Sequence, residues 1–136
     1  MTKKYLFVIP TLEIGGAEIS TIELVNKISE KKNNIVYILT CKTNGDLRKK
    51  ISSNVITIKL PFKKLSKCIL HISYFINKYK PNIIFSIIFH CNIITMLASI
   101  ISFHKCLKVI SERQSTFVSL KEYSFLKRQI IKLLSL

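Results

Sequence analysis

Acidic side chains are scarce in this chain. Seven of 136 residues are Asp or Glu, and Asp46 is the sole aspartate. That excludes the carboxylate pair of a glycosidase and the acidic Mg²⁺ pocket of a receiver domain. Cys-x-x-Cys is absent too. Cys41, Cys68, Cys91 and Cys106 stand far apart, so they read as reduced core thiols of a cytoplasmic protein rather than a zinc site or a disulfide set. There is no G-x-S-x-G elbow, no G-x-G-x-x-G, no G-x-x-x-x-G-K-[ST], and no His/Cys/Asp cluster at metal spacing. No secretory signal is evident, because Met1-Thr2-Lys3-Lys4 precedes an apolar run of strand length that stops at Pro10.

Against those seven acids stand 22 lysines and arginines, a formal charge of +15. Such an excess implies a partner of negative sign: nucleic acid, anionic lipid or phosphate-bearing substrates. Neither an aromatic-basic patch nor helix-turn-helix wording appears, which argues against nucleic acid. Hydrophobic residues make up 49% of the chain and the mean hydropathy is +0.32, enough at this length for one domain with a real core. The uncharged run Ile83 to Phe103 is long enough to be a transmembrane candidate. His90 and Asn92 near its middle would be expensive in lipid, however, and a split into strand, turn and helix accounts for them.

Strand and helix patterns alternate along the chain. Lys4 to Ile9 is nearly continuous in apolar residues, as a central parallel strand should be. A helix from Ala17 to about Lys31 places Ala17, Thr21, Leu24, Val25 and Ile28 on one stripe. Ile35 to Thr40 is a second strand and Leu47 to Ile51 a short polar helix. Val55 to Leu60 is a third strand whose partial alternation fits a sheet edge, and Pro61 closes it. From Leu65 to Tyr79 apolar residues recur at helical spacing, flanked by Lys63, Lys64, Lys67, Lys78 and Lys80. Such a helix either packs simply on the core or also lies against anionic lipid headgroups. Ile83 to Ile88, Asn92 to Phe103 and Leu107 to Ile110 complete the alternation as strand, helix and strand. A last amphipathic helix is expected from Leu120 to Leu136. The fold predicted is α/β, a Rossmann-like doubly wound parallel sheet of about five strands in the order 3-2-1-4-5.

Between the first strand and first helix lies Pro10-Thr11-Leu12-Glu13-Ile14-Gly15-Gly16-Ala17-Glu18. A strand running through a glycine pair into a helix aims free backbone N-H groups at one rim of the sheet, a place for an anion. The glycines would allow close approach and a positive φ. The plainer reading is a helix start behind a flexible loop. Written from Leu6 to Glu18, the stretch resembles the opening of the GT-B glycosyltransferases of family 4, whose first strand runs into a P-x-L-x-x-G-G-A-E loop. Leu60-Pro61-Phe62, Lys80-Pro81-Asn82-Ile83-Ile84, Phe89-His90-Cys91-Asn92 and Ile110-Ser111-Glu112-Arg113 extend that resemblance over essentially the whole chain, but over only the first half of such an enzyme.

The resemblance implies the N-terminal, acceptor-side domain of a retaining enzyme of polysaccharide synthesis. Such enzymes move a sugar from a nucleotide-sugar donor to a glycan or lipid-linked acceptor, without a metal or other cofactor, at the inner face of a bacterial membrane. The donor-binding second domain is missing. Residues 1–136 therefore read as a single truncated domain, inactive alone, and the uncapped apolar end at Leu133-Leu134-Ser135-Leu136 fits a chain that once continued. Three groups are expected at one rim: Gly15, Gly16 and Glu18 after the first strand, His90 after the fourth, and Ser111, Glu112 and Arg113 after the fifth. Gly15 and Gly16 would approach a donor diphosphate. Glu18 either bonds an acceptor hydroxyl or simply sits as an acid in a first helical turn. By resemblance His90 is the catalytic-region histidine; otherwise it is a structural residue. Arg113 would hold a phosphate with Glu112 beside it, or the two form a local ion pair. His71 and His104 read as surface residues. The competing functional reading is a non-catalytic module for anionic ligands, or one that pairs with a separately encoded second half.

Overall fold

The computed structural model describes residues 1–111. Within them the elements are β1 (Lys3–Val8), α1 (Gly16–Ser29), β2 (Asn34–Thr40), a 3-10 turn (Asp46–Lys50), β3 (Val55–Lys59), a second 3-10 turn (Leu65–Cys68), α2 (Ile69–Tyr79), β4 (Ile83–Ile87), α3 (Phe89–Ile101) and β5 (Leu107–Ser111). The five strands form one sheet in the order β3-β2-β1-β4-β5. Every pairing is parallel. This is the doubly wound, Rossmann-like α/β arrangement, with strand order reversing between β1 and β4. The expected helix from Leu120 to Leu136 lies outside the described residues.

Alternation along each strand sends residues to two separate cores. Leu6, Val8, Tyr37, Leu39 and Ile84 pack beneath Ile72 and Ile76 of α2 and Cys91, Ile94 and Ala98 of α3. Phe7, Val36, Ile38 and Ile87 face the other way, against Ile22 and Val25 of α1 and Leu47 of the first 3-10 turn. Helices thus cover both faces, which is why the central strands β1 and β2 are apolar on both sides. Phe7 and Phe85 stack across β1 and β4 at 4.6 Å between ring centroids.

Several local expectations shift. Leu24 is 41% exposed and Ile22, not Leu24, completes the buried stripe of α1. His71 is half-buried with its ring edge-on to Phe62 at 5.6 Å, and a His104 ring nitrogen lies 2.8 Å from the Pro81 carbonyl. Neither is a plain surface residue. The apolar run from Ile83 splits into β4 and α3, and among the described residues no helix is long and apolar enough to cross a membrane. All four cysteines are free thiols, three of them buried. α3 begins at Phe89, three residues earlier than Asn92, because Ile88 alone makes the turn with φ 71°. A β-branched residue at positive φ is a conformation that local preference would not choose.

Candidate functional site

The loop from Ile9 to Gly15 is pinned rather than flexible. The Pro10 carbonyl accepts the Cys41 amide at 3.2 Å, and the Leu12 carbonyl accepts the Leu47 amide at 3.0 Å. Leu12 itself is fully buried. Gly45 makes this possible: a Cβ there would run into the Leu12 carbonyl and lie 2.6 Å from the Glu13 amide nitrogen. The glycine that close approach requires is therefore Gly45, a residue the motif does not include.

Gly15 and Gly16 do something narrower than expected. No glycine in the chain has positive φ, so conformational freedom is not their contribution; Gly15 is extended at φ −154°. Gly15 caps α1 with no side-chain hydrogen bond, and the first intrahelical bond runs from the Ile19 amide to the Gly15 carbonyl at 2.9 Å. The amides of Gly16, Ala17 and Glu18 thus precede the helical ladder. The Glu18 carboxylate folds back over Gly15, in the space a Cβ would take. Around Gly16 the space is open, with nothing within 4 Å of a Cβ position.

α3 presents a second helix start to the same place. Its first intrahelical bond joins the Asn92 amide to the Ile88 carbonyl at 3.0 Å, which leaves the Phe89, His90 and Cys91 amides ahead of the ladder. There is no acid in that first turn. Between the two helix starts lies a cavity of about 440 Å³, walled by Gly15 to Glu18 on one side, Ile87 to Phe89 on the other, and Ser111. It sits where strand order reverses, the usual ligand crevice of an open parallel sheet. Positive helix ends converging from two sides favour an anion there. Among the described residues no lysine or arginine lines it.

The expected residues are distributed unevenly around this cavity. Gly15, Gly16, Glu18 and Ser111 come together in its wall. His90 lies in the first turn of α3, exposed, beside Phe89 and outside the wall. Partial burial of its ring holds its pKa below the ordinary imidazole value. Glu112 and Arg113 lie outside the described residues. Two residues that were assigned no role in the site from sequence matter to the geometry. Ile88 supplies the turn. Asn92, 5% exposed, accepts the Ser86 hydroxyl at 2.7 Å and donates to the Ser111 carbonyl at 3.2 Å. It ties α3 to the ends of β4 and β5 and so fixes the cavity's far wall. The sequence signal was weak, because Thr95 and Ser99 are also polar in the same helix; a buried amide nonetheless requires partners. Cys41 and Cys91 are poor nucleophiles: burial pushes the Cys41 thiol, which neighbours Cys68, and the Cys91 thiol up to about 12. Among the described residues no group of three His, Cys, Asp or Glu side chains could hold a metal ion. No family model matches the chain, and a search of curated proteins finds no match.

Proposed function

We propose that this chain is the acceptor-side half of a GT-B glycosyltransferase of family 4, which takes a nucleotide-sugar donor and a glycan or lipid-linked acceptor at the cytoplasmic face of a membrane. The observation that carries the reading is the cavity at the strand-order reversal, entered by the Gly15-Gly16 amides and the α1 and α3 helix starts. It supports a diphosphate held by backbone donors, with Gly16 leaving room for close approach. The resemblance of Leu6 to Glu18 supplies the reaction class, because a doubly wound sheet alone hosts many chemistries. In this reading His90 stands next to the reacting sugar, Glu18 meets an acceptor hydroxyl, and Glu112 and Arg113 complete the anion site. The donor-gripping half lies outside residues 1–136 in the same reading, and the chain alone turns over nothing.

The test is an amide NMR titration of the full chain with UDP-glucose, UDP-N-acetylglucosamine and GDP-mannose, run beside Gly16→Asp. The Asp side chain enters open space and sets a carboxylate where the diphosphate would lie. Saturable shifts at Gly15, Gly16, Ala17 and Phe89 are expected for at least one donor, lost in the variant, with no sugar released. No shift with any donor refutes the reading. Equal shifts with inorganic pyrophosphate would favour the non-catalytic anion-binding module instead, and turnover by the chain alone would refute its expected inactivity.

A further inference from the structure

The two faces of the sheet carry different charge. From Leu47 to Ser111 the sequence has no Asp or Glu, yet it has eleven lysines and arginines; of these, Arg48, Lys49 and Lys50 belong to the first 3-10 turn on the α1 face. The acids within residues 1–111 are Glu13, Glu18, Glu23, Glu30 and Asp46, on α1, just before and just after it, and at the start of the first 3-10 turn. Among the described residues the face covered by α2 and α3 has none. One ion pair, Lys42 to Glu13 at 3.6 Å, is present among the described residues, and it too lies away from α2.

On that face α2 buries Ile72 and Ile76 and turns its opposite side to solvent. Lys67, Leu70, Tyr74 and Lys78 follow one another at spacings of three and four, which makes a single ridge. Leu70 is 70% exposed, Tyr74 58% and Phe62 43%. Lys63, Lys64, Lys67 and Lys78 surround them, all exposed, and the Lys78 ammonium lies 5.7 Å from the centre of the Tyr74 ring. An apolar and aromatic ridge bracketed by lysines suits the boundary between headgroups and acyl chains, where the lysine stems stay apolar and their ammonium groups reach phosphate.

We infer that the outer face of α2, with Phe62 and Lys63 to Lys67 ahead of it, docks flat on an anionic lipid bilayer. Charge complementarity selects an anionic partner. Phe62 and Tyr74 among the lysines form an aromatic-basic patch that was not evident from the sequence. The exposed Leu70 in the middle of the ridge nonetheless favours lipid over nucleic acid, whose bases stack on aromatic rings. At eleven residues α2 is far too short to cross the bilayer. Docking stands on this face alone and holds whether or not the cavity binds a sugar nucleotide. Phe62 to Lys67 precede α2 and follow β3, at the rim where the strands end.

The experiment uses the full chain and vesicles of equal parts phosphatidylglycerol and phosphatidylcholine, with phosphatidylcholine vesicles and duplex DNA alongside at the same salt. Lys63→Gln/Lys64→Gln/Lys67→Gln is compared with Lys27→Gln/Lys31→Gln/Lys32→Gln, which removes equal charge from the end of α1. Each lysine near an anionic surface contributes about a factor of five, so the first triple loses about a hundredfold in vesicle affinity; the second stays within about threefold. The chain has no tryptophan, so Tyr74→Trp gives a single indole reporter. Its emission moves to the blue on anionic vesicles and is quenched by lipids brominated in their acyl chains. Equal losses in the two triples, unshifted indole emission from the vesicle-bound variant, or tighter binding to DNA that only the α2 triple weakens would each overturn the inference.

Discussion

Replacing Asn92 tests whether one buried amide sets the shape of the cavity. Its side chain accepts from Ser86 at 2.7 Å and donates to Ser111 at 3.2 Å, and Ser86 is 3% exposed. Each such bond contributes about 1 kcal/mol net, and a buried group left without its partner costs about 1–3 kcal/mol. Asn92→Ala removes both bonds, strands the Ser86 hydroxyl and opens a small void, for a loss of about 2–4 kcal/mol. Denaturant unfolding of the full chain measures this directly, and a midpoint temperature lowered by about 10 °C is the thermal counterpart at this length. Asn92→Asp separates hydrogen bonding from volume. An aspartate still accepts from Ser86 but, when ionised, turns an oxygen towards the Ser111 carbonyl and raises its own pKa through burial. A raised folded-state pKa means that stability is present below the unfolded value and lost as pH rises. The Asp variant should therefore approach the parent in acid and fall away from it towards neutral pH. A loss under about 0.5 kcal/mol for Asn92→Ala, the range of an ordinary surface change, or a pH profile for Asn92→Asp parallel to the parent's, would refute the reasoning.

Three further outcomes are expected. Gly45→Ala drives a methyl group into the Leu12 carbonyl and should cost about 2–4 kcal/mol, whereas Gly16→Ala enters open space and should be neutral or stabilising by up to about 1 kcal/mol; paired unfolding curves compare them. His90 should titrate below the ordinary imidazole midpoint in the folded chain because its ring is partly desolvated. Folding then binds fewer protons, so this contribution is intact above the unfolded value near 6.5 and is lost as pH falls through the folded pKa; ring NMR of the chain beside His90→Gln reads it. Iodoacetamide at mildly alkaline pH should leave Cys41 and Cys91 unlabelled until denaturant is added, since burial raises both thiols to about 12; mass spectrometry of the digests shows it.

Strand and helix positions, the parallel sheet and its order follow from patterns that act locally. Tyr5 to Val8 is apolar on both faces because helices cover both, and Val55 to Lys59 lies on an edge, where Ile56 is 47% exposed. Crossover handedness then restricts strand order to few choices. The Gly15-Gly16 helix start is legible for the same reason, being written in consecutive residues.

What tertiary structure decided depends on residues distant in sequence. Gly45 matters because Leu12 passes against it, and Asn92 because Ser86 and Ser111 end beside it; no local pattern carries either fact. The single-residue turn at Ile88 contradicts its own backbone preference, and surrounding contacts with both cores hold it there. Composition alone fixed the formal charge of +15. Packing decided the rest: Ile72 and Ile76 had to face the sheet, and that left Leu70 and Tyr74 among lysines on a face without acids among the described residues.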